Sequence, residues 1–96
     1  MPDKTLVLQR IRENREKIKK FGVIKLSLFG STARGEQHPG SDLDFVVEFQ
    51  HKSFDAYMGL KECLEELFGC RVDLVLSDSI KPRLRSRILA ELVNAA

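Results

Sequence analysis

Residues Gly30 to Val47 read GSTARGEQHPGSDLDFVV, and the rest of the chain is interpreted outward from this stretch. Its first twelve residues hold three glycines and a proline. They are too polar and too broken for regular structure beyond one short helical turn after Ser31. On either side the period changes to two. In Val23–Phe29 (VIKLSLF), Ile24, Leu26 and Leu28 fall on one side of a strand, with Lys25 and Ser27 on the other. In Asp42–Phe49 (DLDFVVEF), Leu43, Phe45, Val47 and Phe49 share one face, and Asp42, Asp44, Val46 and Glu48 share the other. Two strands joined by a loop read as a hairpin-like antiparallel pair. The end of the first strand at Gly30 and Ser31 then lies beside the start of the second at Asp42 and Asp44.

Upstream, Thr5–Lys20 is rich in Arg, Lys, Glu and Gln, with Val7, Ile11 and Ile18 near helical spacing and Gly22 as a stop. This predicts one helix with a narrow apolar face. Downstream, Ser53 is suited to cap a helix carrying Tyr57, Leu60, Leu64, Leu67 and Phe68, which Gly69 ends. Cys70–Leu76 (CRVDLVL) reads as a third strand, with Arg71, Asp73 and Val75 on one face. A last helix is expected from Ser77 or Asp78, with Pro82 in its first turn and Leu84, Ile88 and Leu92 recurring towards the C-terminus. The strand–helix–strand unit favours a right-handed parallel crossover. The expected fold is therefore α/β (α+β), a small mixed three-stranded sheet flanked by helices, with residues 1–96 as a single domain.

Composition bounds the function. At 96 residues the chain has room for one modest core, and 43% hydrophobic with 31% charged residues describes an ordered globular protein. A net charge of +2 is too small to argue for nucleic-acid or membrane binding from bulk electrostatics. No apolar run approaches the roughly 18 residues of a membrane span. Cys63 and Cys70, without an N-terminal apolar segment, read as reduced thiols of a cytoplasmic protein. His38 and His51 lie in polar segments and read as exposed loop residues. Lys81, Arg83, Arg85 and Arg87 read first as a solvated helix surface, and second as a contact for an acidic partner or RNA.

The chemistry follows from the strand order. If strand three runs parallel to strand two, Asp73 enters near the same sheet end as Asp42 and Asp44, on a common face. Three ionised acids repel one another and resist desolvation, so their convergence asks for a divalent cation. Oxygen ligands without His or Cys favour magnesium or manganese, and magnesium usually completes its shell with water and substrate phosphates. Gly30 lets a phosphate approach the backbone, Ser31 offers an amide and a hydroxyl, and Arg34 offers a fork of donors. A phosphate site facing a metal site implies a nucleoside triphosphate.

Gly30-Ser31, ten residues, then Asp42-Leu43-Asp44, with VDLV at Val72–Val75, resembles the nucleotidyltransferases of the DNA polymerase beta superfamily. Over nearly its whole length the chain looks like the minimal nucleotidyltransferases paired with HEPN-domain toxins. The resemblance implies the nucleotidyltransferase fold and a two-metal transfer of a nucleoside monophosphate, with pyrophosphate leaving. Asp42 and Asp44 would hold two Mg2+ ions on the triphosphate of ATP, and Asp73 would help bind the ion near the attacking hydroxyl and act as its base. Gly30 and Ser31 would cradle the β and γ phosphates, and Arg34 would offset their charge. The acceptor it implies is a hydroxyl of a HEPN-type ribonuclease toxin, making the chain an adenylylating antitoxin. Two other functions stay open at the level of the residues: an antitoxin that neutralises by binding alone, and transfer to a small molecule such as an aminoglycoside. The aromatics of the helix from Ser53 to Phe68 suit a homodimer or a partner interface.

Overall fold

The computed structural model describes residues 3–35 and 42–96, and its core is an apolar cluster between one sheet face and three helices. The first helix, α1 (Lys4–Glu13), is capped by Asp3, whose carboxylate accepts from the Leu6 N–H at 2.8 Å. It stops at Asn14, and α2 (Arg15–Lys19) follows as a separate turn. The single helix expected from Thr5 to Lys20 is thus two. The Asn14 side chain donates to the Arg10 carbonyl at 2.8 Å, the local competition with backbone bonding that makes asparagine a helix breaker.

Strand β1 (Val23–Phe29) leads into a short helix, α3 (Gly30–Ala33), the turn expected after Ser31. Strand β2 (Leu43–Phe49) is followed by α4 (Phe54–Phe68), which Ser53 caps through the Ala56 N–H at 3.0 Å. Gly69 ends it in the left-handed region, φ 62°, a conformation that costs glycine little. Strand β3 (Val72–Leu76) begins two residues later than the expected Cys70. A 3-10 turn, Ser77–Ser79, precedes α5 (Pro82–Glu91), with Pro82 at its first position. The expected start at Ser77 or Asp78 therefore belongs to that turn, because Pro82 lacks the N–H a continuing helix needs there.

Among the described residues the sheet has four strands in the order β3-β2-β1-β4, not three. β4 (Val93–Asn94) pairs antiparallel with β1, and Ala95 and Ala96 extend the contact through backbone bonds to Leu26. A two-residue strand carries no periodicity, so the alternation that reveals β1 and β2 could not reveal it. β1 and β2 are antiparallel and β2 and β3 parallel, so the sheet is mixed as expected.

A further correction concerns Ile24. The ladder shifts between Val23 and Lys25, so Ile24 is the extra residue of a bulge and stands 53% exposed, while Val23 takes the inner position. The core face of the sheet is then Val23, Leu26 and Leu28 with Leu43, Phe45, Val47, Phe49, Val72 and Leu74. Val7, Ile11 and Ile18 from α1 and α2, and Leu60, Leu64 and Phe68 from α4, close on it, with Phe45 stacked on Phe68 at 6.3 Å. Helix α4 also covers the outer edge of β3. The Tyr57 hydroxyl donates to the Leu74 carbonyl at 2.6 Å, and Glu65 accepts from the Val72 N–H at 3.1 Å, satisfying groups that an open edge would leave for another strand. Cys63 is buried and Cys70 half-buried, both as free thiols.

The opposite face carries Lys25, Ser27, Val46 and Glu48, and α5 lies over it through Arg85, Leu89 and Leu92. No residue of α5 is buried, and Leu84, expected on its apolar stripe, is 40% exposed. The i, i+4, i+8 pattern there exists without a core to receive it.

The bulge makes a direct prediction. Ile24→Ala is expected to change urea-measured stability by no more than about 0.5 kcal/mol, as for an exposed site. Leu26→Ala, two positions on and fully buried, is expected to cost about 2–5 kcal/mol. Equal losses would mean the bulge is absent in solution.

Candidate active site

The acid-bearing corner is set by strand register. In the antiparallel ladder Phe29 pairs with Asp44, and in the parallel ladder Asp44 pairs with Asp73. Residues paired across neighbouring strands point to the same face, so Asp44 and Asp73 stand side by side on the face away from the core. Asp42 lies immediately before β2 and is half-buried, Asp44 is half-buried, and Asp73 is exposed. The three sequence-predicted carboxylates therefore gather at one end of the sheet.

Their proximity is visible in the electrostatics. The Asp44 carboxyl is pushed up from its ordinary 3.8 to about 6, first by burial and then by the negative charges of Asp73 and Asp42. Arg34 opposes the rise. A cation beside Asp44 would act in the same direction as Arg34 with greater charge.

Gly30 completes the corner. It takes φ +77°, and a Cβ built on it would run into the Asp44 carboxylate, with Asp44 Cγ at 3.1 Å. Only glycine lets the β1–α3 junction pass this close to the acid. The Ser31 backbone sits in α3, and its side chain lies outside the described residues, as do Glu36 to Ser41 with the loop placement of His38. Arg34, at the end of α3, is exposed and pairs with Glu91 at 3.2 Å. Glu91 was not a candidate from the sequence, since it lies 57 positions from Arg34 and no local period records the pairing. Nor was Thr32 a candidate. Its hydroxyl is fully buried in α3 without a hydrogen-bond partner among the described residues, a costly arrangement next to the acid corner.

The donor set is suited to a hard divalent cation, being carboxylate oxygen throughout. Among the described residues no three acidic, imidazole or thiol groups close into a cage that could hold a metal alone. A cation here needs ligands from elsewhere, which is how magnesium is usually held, by one or two carboxylates with water and substrate phosphates. An apolar groove of about 600 Å³ opens at the other end of β2 and β3, between Phe49, Tyr57, Leu74 and Leu76. It carries none of these acids and stands apart from the corner. Of the remaining sequence candidates, His51 and all four cations of the last helix are exposed.

Comparison with known proteins bears on the family and the fold. The profile described as "Nucleotidyltransferase domain" matches residues 8–94. The protein adenylyltransferase MntA of Thermococcus cleftensis is 41% identical over 75 residues, spanning 77% of this chain and 76% of that protein. A solved structure provisionally described as a minimal nucleotidyltransferase superposes with a TM-score of 0.75 at 37% identity, covering 90% of this chain and 93% of that one. A toxin–antitoxin structure with AMP-PNP superposes with a TM-score of 0.70 at 24% identity over 88% of this chain and 71% of that one, a likeness of fold. Among the described residues, no helix is long and apolar enough to cross a membrane.

The raised Asp44 pKa sets a pH dependence for the metal-free protein. A carboxyl raised on folding adds stability below its unfolded value near 3.8, and that contribution is lost as pH rises through about 6. In EDTA, the melting temperature of the wild type should fall between pH 4 and pH 7 relative to that of Asp44→Asn, which has no such carboxyl. Parallel curves for the two proteins would show that Asp44 titrates normally.

Proposed function

This chain belongs to the nucleotidyltransferase domain family, and we propose that it transfers an adenylyl group from ATP to a side-chain hydroxyl of a partner protein. On this reading the partner is a HEPN-type ribonuclease toxin, the modification silences it, and both proteins work in the cytoplasm. The observation that carries the reading is the meeting of Asp42, Asp44 and Asp73 on one face, with Gly30 too close to Asp44 for any side chain. The adenylyltransferase name of the Thermococcus relative supports the choice of ATP and of a protein acceptor. The toxin–antitoxin fold likeness supports the kind of partner.

In the proposed reaction the acceptor oxygen attacks the α-phosphorus, the bond from that phosphorus to the bridging oxygen breaks, and pyrophosphate leaves. Asp42 and Asp44 would hold Mg2+ against the triphosphate, and Asp73 would share the ion nearest the acceptor. When bound, the two ions supply charge neutralisation on the attacking and leaving oxygens. Asp73, the most exposed of the three acids, would take the proton from the incoming hydroxyl. The backbone amides of Gly30 and Ser31 would face the β and γ phosphates, with Arg34 offsetting charge that builds on the leaving group. Residues 1–96 act here as one nucleotidyltransferase domain, and the acceptor hydroxyl is presented by the other protein.

The test is intact-mass spectrometry of this protein with a HEPN-type ribonuclease toxin, incubated with ATP and magnesium. The partner should gain whole adenylyl units with the wild type and none with Asp42→Asn, Asp44→Asn. A partner that binds and is neutralised with no mass change, by wild type and variant alike, would leave neutralisation by binding as the function. Transfer to an aminoglycoside without any protein partner would point instead to a small-molecule acceptor.

A further inference from the structure

Helix α5 is built unlike the rest of the molecule. Its ten residues, PRLRSRILAE, include none that is buried, and with Lys81 at its N-cap it carries four cations, all exposed. Lys81 and Arg83 stand at the positive end of the helix macrodipole, with no acid in the first turn to balance them. Stability gives no reason for that placement. Nor is the charge consumed within the molecule: among the described residues Lys81, Arg83 and Arg87 form no ion pair, while Arg85 turns towards the sheet and the neighbouring Asp78.

The helix has two sides. Arg85, Leu89 and Leu92 line the crevice over the sheet. Arg83 and Arg87, two positions away from that row and one turn from each other, project from the opposite side, and Leu84 borders them at 40% exposure. This outer face leads to the acid corner, because α5 runs back from the end of β3 and its last residue, Glu91, pairs with Arg34. Arginine is enriched in protein interfaces, and Leu84 adds apolar surface between the two guanidinium groups. A single-stranded RNA surface would be expected to offer aromatic rings for stacking, and α5 has none.

We propose that the outer face of α5, formed by Arg83, Leu84 and Arg87, is the docking surface for an acidic patch on the acceptor protein, and that this contact brings the acceptor hydroxyl to the acid corner. The proposal rests on the reading that the acceptor is a protein. Its test therefore measures docking apart from transfer.

The affinity of this protein for a HEPN-type ribonuclease toxin is measured by biolayer interferometry at low and high salt. Wild type, Arg83→Glu with Arg87→Glu, and Arg83→Lys with Arg87→Lys are compared, and AMP-PNP binding with magnesium is followed by calorimetry. Charge reversal should weaken partner binding by about tenfold or more at low salt and flatten its salt dependence. The lysine pair should stay within about threefold of wild type, since charge complementarity carries the contact. AMP-PNP affinity and the melting transition should be unchanged in both variants, because neither residue is buried or belongs to the acid corner. Unchanged partner affinity on charge reversal overturns the proposal. So does a wild type that binds no HEPN partner, or a charge-reversed protein that keeps the partner and loses only a 20-nucleotide RNA probe. If the wild type binds the partner but transfers no adenylyl group, and charge reversal abolishes that binding, the docking surface stands and the transfer reading falls.

Discussion

The structure turns on an unfavourable contact, the side-by-side placement of Asp44 and Asp73 on adjacent parallel strands with Asp42 just before them. Like charges directly opposite in a sheet are destabilising, and burial of Asp44 adds to the penalty. The fold tolerates it because Phe45, the next residue on the same strand, points the other way into the core and stacks on Phe68. One strand thus anchors the sheet with its odd-numbered residues and carries the acid site with an even-numbered one. The period of two in β2 separates the two tasks without separating their positions in the chain.

That division extends across the molecule. The core face is closed by α1, α2 and α4, and α4 reaches round to satisfy the edge of β3 through Tyr57 and Glu65. Over the other face, among the described residues, lie α5, which contributes no buried residue, and the Ser77–Ile80 segment before it. A packed apolar layer therefore backs the layer that carries the acids. Gly30 joins them, since its lack of a side chain allows β1 to end against the Asp44 carboxylate and to turn at once into α3. Sites held on strand ends by a packed layer keep their geometry better than sites held on loops, and strand register here does that holding.

Much of this was legible beforehand because β1, β2 and α4 are strongly periodic and punctuated. Ser53 and Gly69 mark the limits of α4 by local chemistry that operates whatever the surroundings. The alternation of Leu43, Phe45, Val47 and Phe49 assigns the core face of β2 correctly for the same reason. The misreadings share a different cause. Ile24 sits on a bulge, and a bulge depends on how two strands pair, which alternation in one strand does not record. The break at Asn14 left the charged helical composition on both sides intact. β4 is too short to have a period, and its pairing with β1 is a contact between residues more than sixty positions apart.

The acids themselves were found from sequence because their types and spacings are chemical facts: Asp-x-Asp on one strand, a third Asp on the next, Gly-Ser before them. Their convergence was an inference from strand order, and tertiary structure decided it by register, pairing Phe29 with Asp44 and Asp44 with Asp73. The raised Asp44 pKa, the Arg34–Glu91 pair and the burial of the Thr32 hydroxyl belong to tertiary structure alone. Each depends on a distance or a burial that folding creates between residues the chain keeps apart. Residue chemistry and local period are properties of the sequence, and the field in which that chemistry operates is a property of the packed fold.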